Sequence, residues 1–584
     1  MRVECLYSVY MYVATIPNRN SPPAILLRES FRDQGKVHNR TLANLSHWQP
    51  DKIQALRQLL KGNYQGVTDL ASAFQITRSL PHGHVAAVLA TLHHLRLDMI
   101  LDSQPSRERN RALALIAARI LEPGSKLATS RSLRPETCHH SLGAELNLGS
   151  LNEDDLYAAM DWLLARQNQI EATLARRHLR QGTLVLYDLT STYFEGRHCP
   201  LAKFGYSRDE RRGNPQIVFG ILSSPEGCPV AVEVFEGNTS DPKTVPAQVA
   251  KLRQRFHLER IILVGDRGML TQTRIEQDLR PQPGLEWITA LRAPQIQTLA
   301  AAGAVQLSLF DERDLVEVSE HPEFPGERLI VCRNPLLAVE RERKRQELIA
   351  AAEKKLGQIQ AATQRQRYPV RSPERISYLV GKALAASKVA KYFRWAITPQ
   401  GMQWERDEAR IQKDAALDGI YVLRTSVPAQ VLDSEQAVLA YKRLAVVERA
   451  FRCLKSVDLN VRPIYHRVPD RVRAHIFVTM LAYYVEWHMR QALAPLLFDD
   501  EQRGDQRSSP VAPAKRSPEA RAKAHRRRTE DNWPVQSFQD WLKDLATITK
   551  NRIEPRLSSL PAFDMTTRPT PCQQYALDLL RAEL

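Results

Sequence analysis

Paired cysteines are missing from this sequence. The seven that occur, Cys5, Cys138, Cys199, Cys228, Cys332, Cys453 and Cys572, are odd in number, scattered, and never spaced Cys-x-x-Cys. This excludes a disulfide-stapled secreted fold and implies a reducing compartment. Cys138-His139-His140 and His198-Cys199 offer ligand-type side chains. Adjacent residues cannot all point at one ion, however, and no second pair follows at zinc-site spacing, so they read as ordinary core or surface residues. A long apolar run is missing too, since nothing reaches the ~18–20 residues that span a bilayer. The opening stretch is interrupted by Glu4, Ser8 and Tyr10 and leads to no small-residue cleavage site. The expectation is therefore a cytoplasmic protein with no membrane partner. No internal repeat of solenoid length occurs. Acid is the scarcer charge: Lys plus Arg total 82 against 65 Asp plus Glu, a formal net charge of +17. An excess of that size attracts polyanions and makes phosphate the expected partner, without naming a chemistry.

What is present is ordinary globular material. Hydrophobic residues make up 43% and charged residues 25% of the 584 positions, which excludes a mainly disordered chain. The length is too great for one core and suggests about three or four domains. Residues 1–49 mix short apolar stretches with turns such as Pro22-Pro23 and read as a small β-rich segment. From 50 to 180 apolar residues recur at helical spacing, with Asn152 as an N-cap and Asp155 three positions on, so this region is expected to be helical. It is the candidate for recognising DNA ends, because helices commonly enter the major groove. Residues 181–292 change to short β-branched runs. Residues 293–415 form a charged, largely helical stretch that reads as an insertion, with Trp395 and Trp404 as possible stacking residues or core. The strand Ile420–Thr425 and a helix from Ser434 to Lys455 follow within 416–497. Residues 498–532, rich in Pro, Lys and Arg, read as a solvated basic linker, and 533–584 as a helical tail.

The order of elements from residue 181 onward carries the chemistry. Three adjacent strands, a helix, a strand ending in an acid, a helix, and a last strand and helix separated by an insertion form the layout of an RNase-H-like core. This gives an α/β fold with a mixed five-stranded sheet and flanking helices. Its first strand delivers Asp188, its fourth Asp266, and its final helix Glu448. Three acids remote in sequence could thus meet at one sheet edge. Phosphodiester chemistry places charge on both the attacking and the leaving oxygen, and two divalent ions ~3.5–4 Å apart stabilise both. Hard Mg²⁺ prefers oxygen ligands, so a few carboxylates suffice. The helix around Glu448 adds a second signal. Tyr441, Glu448 and Lys455 are spaced by sevens and share one face, with Arg452 close to it, while Leu444, Val447, Phe451 and Leu454 supply the burial. A carboxylate flanked by cations suits a metal-bound phosphate with the cations gripping the strand. Glu195, Glu236 and Asp241 are second choices for the metal role.

The segments YDLTSTYFEG, VGDRGML and YKRLAVVERAFRCLKS, with PIYHR just after, resemble the DDE transposases of insertion sequences, in the group whose last catalytic strand and helix are separated by an inserted domain. In that group a Tyr, an Arg, the catalytic Glu and a Lys recur at fixed spacing. Tyr441, Glu448 and Lys455 match it, whereas Leu444 occupies the Arg slot and Arg443 stands one position early. The resemblance implies a nucleoid-associated enzyme acting as a homodimer or higher multimer on DNA. Such an enzyme binds terminal inverted repeats, cleaves at the element ends with Mg²⁺ (Mn²⁺ substituting), and inserts the freed 3′-hydroxyl into target DNA. Asp188, Asp266 and Glu448 would be the catalytic metal ligands, and Tyr441, Arg443, Arg452 and Lys455 would contact DNA. Two other readings keep parts of this picture: a non-catalytic DNA-binding derivative, and a structure-selective nuclease that never joins strands.

Overall fold

The computed structural model describes residues 10–19, 21–33, 36–62, 74–303, 314–385, 389–501, 509–556 and 561–584. The chain divides into two compact units, one of residues 1–79 with 550–567, the other of residues 80–549 with 568–584. Among the described residues no helix is long and apolar enough to cross a membrane. The six cysteines there, Cys138, Cys199, Cys228, Cys332, Cys453 and Cys572, are all free, and Cys5 lies outside the described residues.

In the first unit β1 (Tyr10–Ile16), β2 (Ala24–Asp33) and β3 (Lys36–Asn44) form the antiparallel sheet expected of residues 1–49, followed by the helix Pro50–Leu60. The next described element is a strand, β4 (Phe74–Pro81), in a region expected to be helical. It belongs to a three-stranded sheet with β15 (Thr549–Pro555) and β16 (Phe563–Thr566), two strands that fall within the expected helical tail. None of the three has a buried residue, so no apolar alternation marks them in the sequence; in the chain β15 and β16 lie between the helices Phe538–Ala546 and Pro571–Leu580, which are the part of the tail that is helical.

The second unit is built on an eight-stranded mixed sheet. Its centre is β5 (Thr183–Tyr193), β6 (Gln216–Ser223), β7 (Pro229–Glu236), β8 (Ile261–Gly265) and β9 (Leu285–Ala290), in the order β9-β8-β5-β6-β7. β5, β6 and β7 are successively antiparallel, while β8 lies parallel to both β5 and β9. This is the five-stranded RNase-H-like arrangement, and β6 and β8 are buried along their whole length, in keeping with their mainly apolar sequences.

Three further strands extend the sheet beyond β9. They are β14 (Ile420–Thr425), β11 (Arg328–Arg333) and β10 (Leu315–Ser319), each antiparallel to its neighbour. Two of them come from the stretch read as an insertion, so the sheet has eight strands rather than five and the independent insertion begins after β11. Its helices Pro335–Thr363 and Pro373–Ala385 and the hairpin β12 (Phe393–Thr398) with β13 (Gly401–Arg406) enclose a core of their own around Ile349, Leu356, Val380 and Met402. Trp404 joins that core against Phe393, whereas Trp395, opposite Trp404 in the hairpin, is half exposed.

The helical region expected before residue 180 is present from Gly83 onward, but it is not a separate module. The capping box of Asn152 and Asp155 opens the helix Glu153–Ala165, which ends at Arg166, where a second helix, Gln167–His178, begins. The helices Arg107–Leu121 and Glu153–Ala165 pack against Pro469–Ala492, a helix from after the last catalytic strand that is buried on nearly every side and also touches β7. Residues 112–120 of Arg107–Leu121 are buried all round, which leaves that stretch no face for a DNA groove. The expected basic linker is also partly built into the unit. Val511 is buried, the backbone carbonyls of Pro510, Val511 and Ala512 accept hydrogen bonds from Lys442 Nζ, and Pro518–Arg526 is a helix capped by Ser517. Its residues 502–508 lie outside the described residues.

Candidate active site

The parallel register of β5 and β8 fixes the first two acids. Tyr187 pairs with Gly265, so Asp188 and Asp266 follow one step later on neighbouring strands. β8 stops there, while β5 runs on beside β6, which leaves Asp188 in mid-strand where a strand end was expected. Asp188 Oδ1 accepts the Leu189 amide at 2.8 Å. Asp266 opens a tight turn: its backbone oxygen accepts the amides of Met269 and Leu270, and Oδ2 accepts the Gly268 amide at 3.3 Å. A Cβ at Gly268 would lie 3.4 Å from Asp266 Oδ2 and 3.8 Å from Asp241 Oδ2, in ordinary contact with both carboxylates, so the turn brings the two acids close together.

The third acid arrives on a helix that packs on β5. The expected single helix from Ser434 to Lys455 is divided at Arg443 into Ser434–Lys442 and Leu444–Arg452, followed by a wider turn over Cys453–Val457. Val447, Ala450 and Phe451 are buried, with Phe451 edge-on to Phe219 of β6. Gly227, at φ +90° in the β6–β7 turn, has Val446 where a Cβ would be, so a residue without a side chain permits this close approach. Glu448 is left on the exposed face.

Asp188, Asp266 and Glu448 line one open cavity of about 840 Å³ together with Tyr441, Lys455, Arg208 and Tyr421. Tyr441 donates its hydroxyl to Asp266 Oδ1 at 3.4 Å, and burial pushes its own pKa upward. Burial likewise raises Asp188 to about 7; the charges of Asp266 and Glu448 push in the same direction, against the Leu189 amide and Arg208. A carboxylate so crowded by like charge is one that a bound dication would relieve, and oxygen donors suit a hard ion, so the residues present fit Mg²⁺. The tightest clusters of possible metal ligands among the described residues lie elsewhere, at His178, Cys228 and His488 and at Cys453, Asp458 and Glu486.

The cations are arranged differently from the sequence expectation. Lys455 lines the cavity but is only 8% exposed; its Nζ donates to Asp209 at 2.8 Å, and burial lowers its pKa. Arg443 and Arg452 are exposed and stand outside the cavity lining. Three residues not singled out by sequence complete the surroundings. The Asp209 side chain is 4% exposed and also pairs with Arg462 at 2.7 Å. Arg208 reaches both oxygens of Asp241 at 2.7 Å, and its amide is held by Ser191 of β5. Asp241, a second choice from sequence, thus stands behind Arg208, while Glu195 accepts a hydrogen bond from Tyr465 at the far end of β5. In the sequence Arg208 and Asp209 sit within the charged run Arg208-Asp209-Glu210-Arg211-Arg212, which looks like any solvated loop.

Comparison with known families now decides the affiliation. Residues 182–485, just over half of the chain, match the family described as the Transposase DDE domain. The chain belongs to the DDE transposases. Residues 13–72 of this transposase match the N-terminal domain of IS1634 family transposases, which assigns it to insertion sequences. No curated protein matches it. Among solved structures it is similar to one described as a cryo-EM structure of the piggyBac transposase synaptic complex with hairpin DNA. The identity is 10%, the match covers 80% of this chain and 76% of that one, and the TM-score is 0.32.

Proposed function

We propose that this transposase is a working enzyme that cuts DNA at the terminal inverted repeats of its element and joins the freed 3′-hydroxyl to target DNA. Asp188, Asp266 and Glu448 would hold Mg²⁺, with Mn²⁺ as a substitute. The observation that carries the reading is the β5–β8 register, which sets two carboxylates side by side under the helix that presents the third. Bound there, a pair of divalent ions would stabilise the attacking and leaving oxygens of a phosphodiester.

The chain's own groups have separable tasks. Tyr441 holds one oxygen of Asp266 and the Gly268 amide holds the other, so that carboxylate is oriented before anything binds. Arg208 offsets part of the negative charge facing Asp188 and lines the path of an incoming phosphate. The Lys455–Asp209–Arg462 ion cluster fixes the floor of the cavity, so Lys455 acts as a braced charge beneath the strand, with less freedom than a mobile clamp. Water and then the 3′-hydroxyl would be the successive nucleophiles, within a dimer or larger multimer on DNA.

The test uses the purified chain, a labelled element end, and Mg²⁺ or Mn²⁺. Nicking at the end and strand-transfer joints are expected, and Asp188→Asn, Asp266→Asn and Glu448→Gln should each lower both by on the order of 10³-fold or more while sparing DNA binding. End binding without nicking in either metal, or nicking that survives all three substitutions, would sink the proposal. Nicks that never become joints would make the chain a nuclease.

A further inference from the structure

A second cavity, of about 650 Å³, has Arg462, the partner of Asp209, in its lining. Its wall is formed by the turn after the helix Arg107–Leu121, by Tyr157, and by residues 460–475, which include the PIYHR motif. That motif is fastened to the end of β5 by a bridge between Phe194 and Ile464. Arg119, Lys126, Arg462 and Arg471 line the cavity with His466 and His475, and no carboxylate does so among the described residues.

Two of these cations are in an unusual state. Arg119 is 6% and Lys126 5% exposed, so both are more than nine-tenths buried. Among the described residues the one hydrogen bond of the Arg119 guanidinium runs to His475 Nδ1, at 3.4 Å. Lys126 has no hydrogen-bond or ion-pair partner among the described residues, and its charged neighbour is Arg119. Lys126 is also the first residue of the eight-residue helix Lys126–Leu133, whose N-terminal end adds partial positive charge beside it. Burying an unpaired cation is costly, and two side by side more so, unless an anion completes the site. Elsewhere in this chain buried cations have their acids: Lys455 has Asp209, Lys251 has Glu171, and Arg424 has Glu327.

We infer that this cavity is a phosphate-binding pocket for a DNA strand, with Lys126 and Arg119 as the groups that grip one backbone phosphate and Arg471 and Arg462 at its rim. The inference rests on the DNA-handling reading of the neighbouring acids. Asp209 ties the two sites together, since it pairs at once with Lys455, which lines the acid cavity, and with Arg462, which lines this one. A strand seated at the acids therefore has a fixed second holding point. Arg471 lies over the ring of Tyr157 at 4.3 Å and His466 meets that ring edge-on, so the wall beside the phosphate is stiff and aromatic.

The experiment uses the full chain in EDTA, which silences cleavage, with fluorescence anisotropy of an element-end oligonucleotide over a range of salt. Lys126→Met and Arg119→Met are expected to weaken binding at least tenfold and to lower the slope of log affinity against log salt by about 0.9. Melting supplies the second readout. Without polyanions Lys126→Met should melt at or above the wild-type temperature, because an unpaired buried charge has been removed. Inorganic phosphate should raise the melting temperature of the wild type and not that of the variant. Unchanged oligonucleotide affinity and salt slope in both variants would overturn the inference while leaving the acid site untouched; this holds also if inorganic phosphate alone binds. A wild-type chain that binds no DNA at all would instead remove the functional reading beneath it.

Discussion

The two cavities linked through Asp209 treat charge differently: one gathers three carboxylates among paired cations, and the other is lined by cations with no carboxylate among the described residues. In one, three carboxylates share the lining with Arg208, Lys442 and Lys455, which are engaged by Asp241, by backbone carbonyls and by Asp209; in the other, the buried Arg119 and Lys126 have no acid beside them in the lining among the described residues. Between them the ion cluster of Lys455, Asp209 and Arg462 is closed within the chain. The lesson of the contrast is that this part of the fold satisfies its structural charges internally and leaves its working charges for outside partners, a metal on one side and a phosphate on the other.

The largest effect that would break the contrast is removal of an acid from the first cavity. Glu448→Gln should lower cleavage by on the order of 10³-fold or more in a labelled-end assay, with melting unchanged within roughly 0.5 kcal/mol, since this side chain is exposed. Next comes the shared wall. Asp209→Ala strands Lys455 and Arg462, and urea unfolding should show a loss of about 3–5 kcal/mol, far more than any triad substitution costs in stability.

Acid and base should then act on the two cavities in opposite senses. Burial together with Asp266 and Glu448 raises Asp188 to about 7 from an ordinary 3.8, so its share of stability is intact below about 3.8 and is lost as pH rises toward 7. Asp188→Asn should therefore raise the melting temperature at pH 8 and leave it unchanged at pH 4. Burial, with Lys126, Arg119 and Arg471 adding to it, lowers His466 to about 3 from 6.5. Its neutral form is the folded one, so that share is intact above 6.5 and is lost as pH falls toward 3. His466→Gln should flatten the acid side of the melting profile, and a profile of unaltered shape would count against the buried assignment. The smallest effects belong to Arg443→Ala and Arg452→Ala. Both residues are exposed and outside the acid cavity, and turnover at saturating DNA should stay within about twofold while each phosphate contact removed lowers the salt slope by about 0.9.

Much of the first cavity was legible because its parts are local. The runs Thr183–Asp188 and Ile261–Gly265 are apolar enough to be buried strands and end near acids, and the apolar spacing around Glu448 leaves one face free. What the sequence did not reveal depends on partners. β10 and β11 are short strands in charged surroundings; β11 takes its hydrogen bonds from β14, about ninety residues later, and β10 is added to the sheet only through β11. Whether an apolar helix packs on DNA or on another helix is not written in its own periodicity, and Arg107–Leu121 turned out to need Pro469–Ala492. Asp209 escaped for the same reason, since burial of one acid within a run of charges is decided by Lys455 and Arg462, far along the chain. The division of the helix at Arg443 was also invisible, because propensity through Leu439–Ala445 favours a continuous helix.

The way the insertion is attached has a practical outcome. Arg333, the last residue of β11, pairs directly with Ile420, the first of β14, and the Asn334 amide donates to the Gly419 oxygen at 2.9 Å. The polypeptide thus departs and comes back across a single rung of the ladder, and everything from 335 to 418 hangs from what would otherwise be a hairpin tip. Such a module can be exchanged for a two-residue turn, or for an unrelated domain whose ends lie close together, without severing any strand of the catalytic sheet.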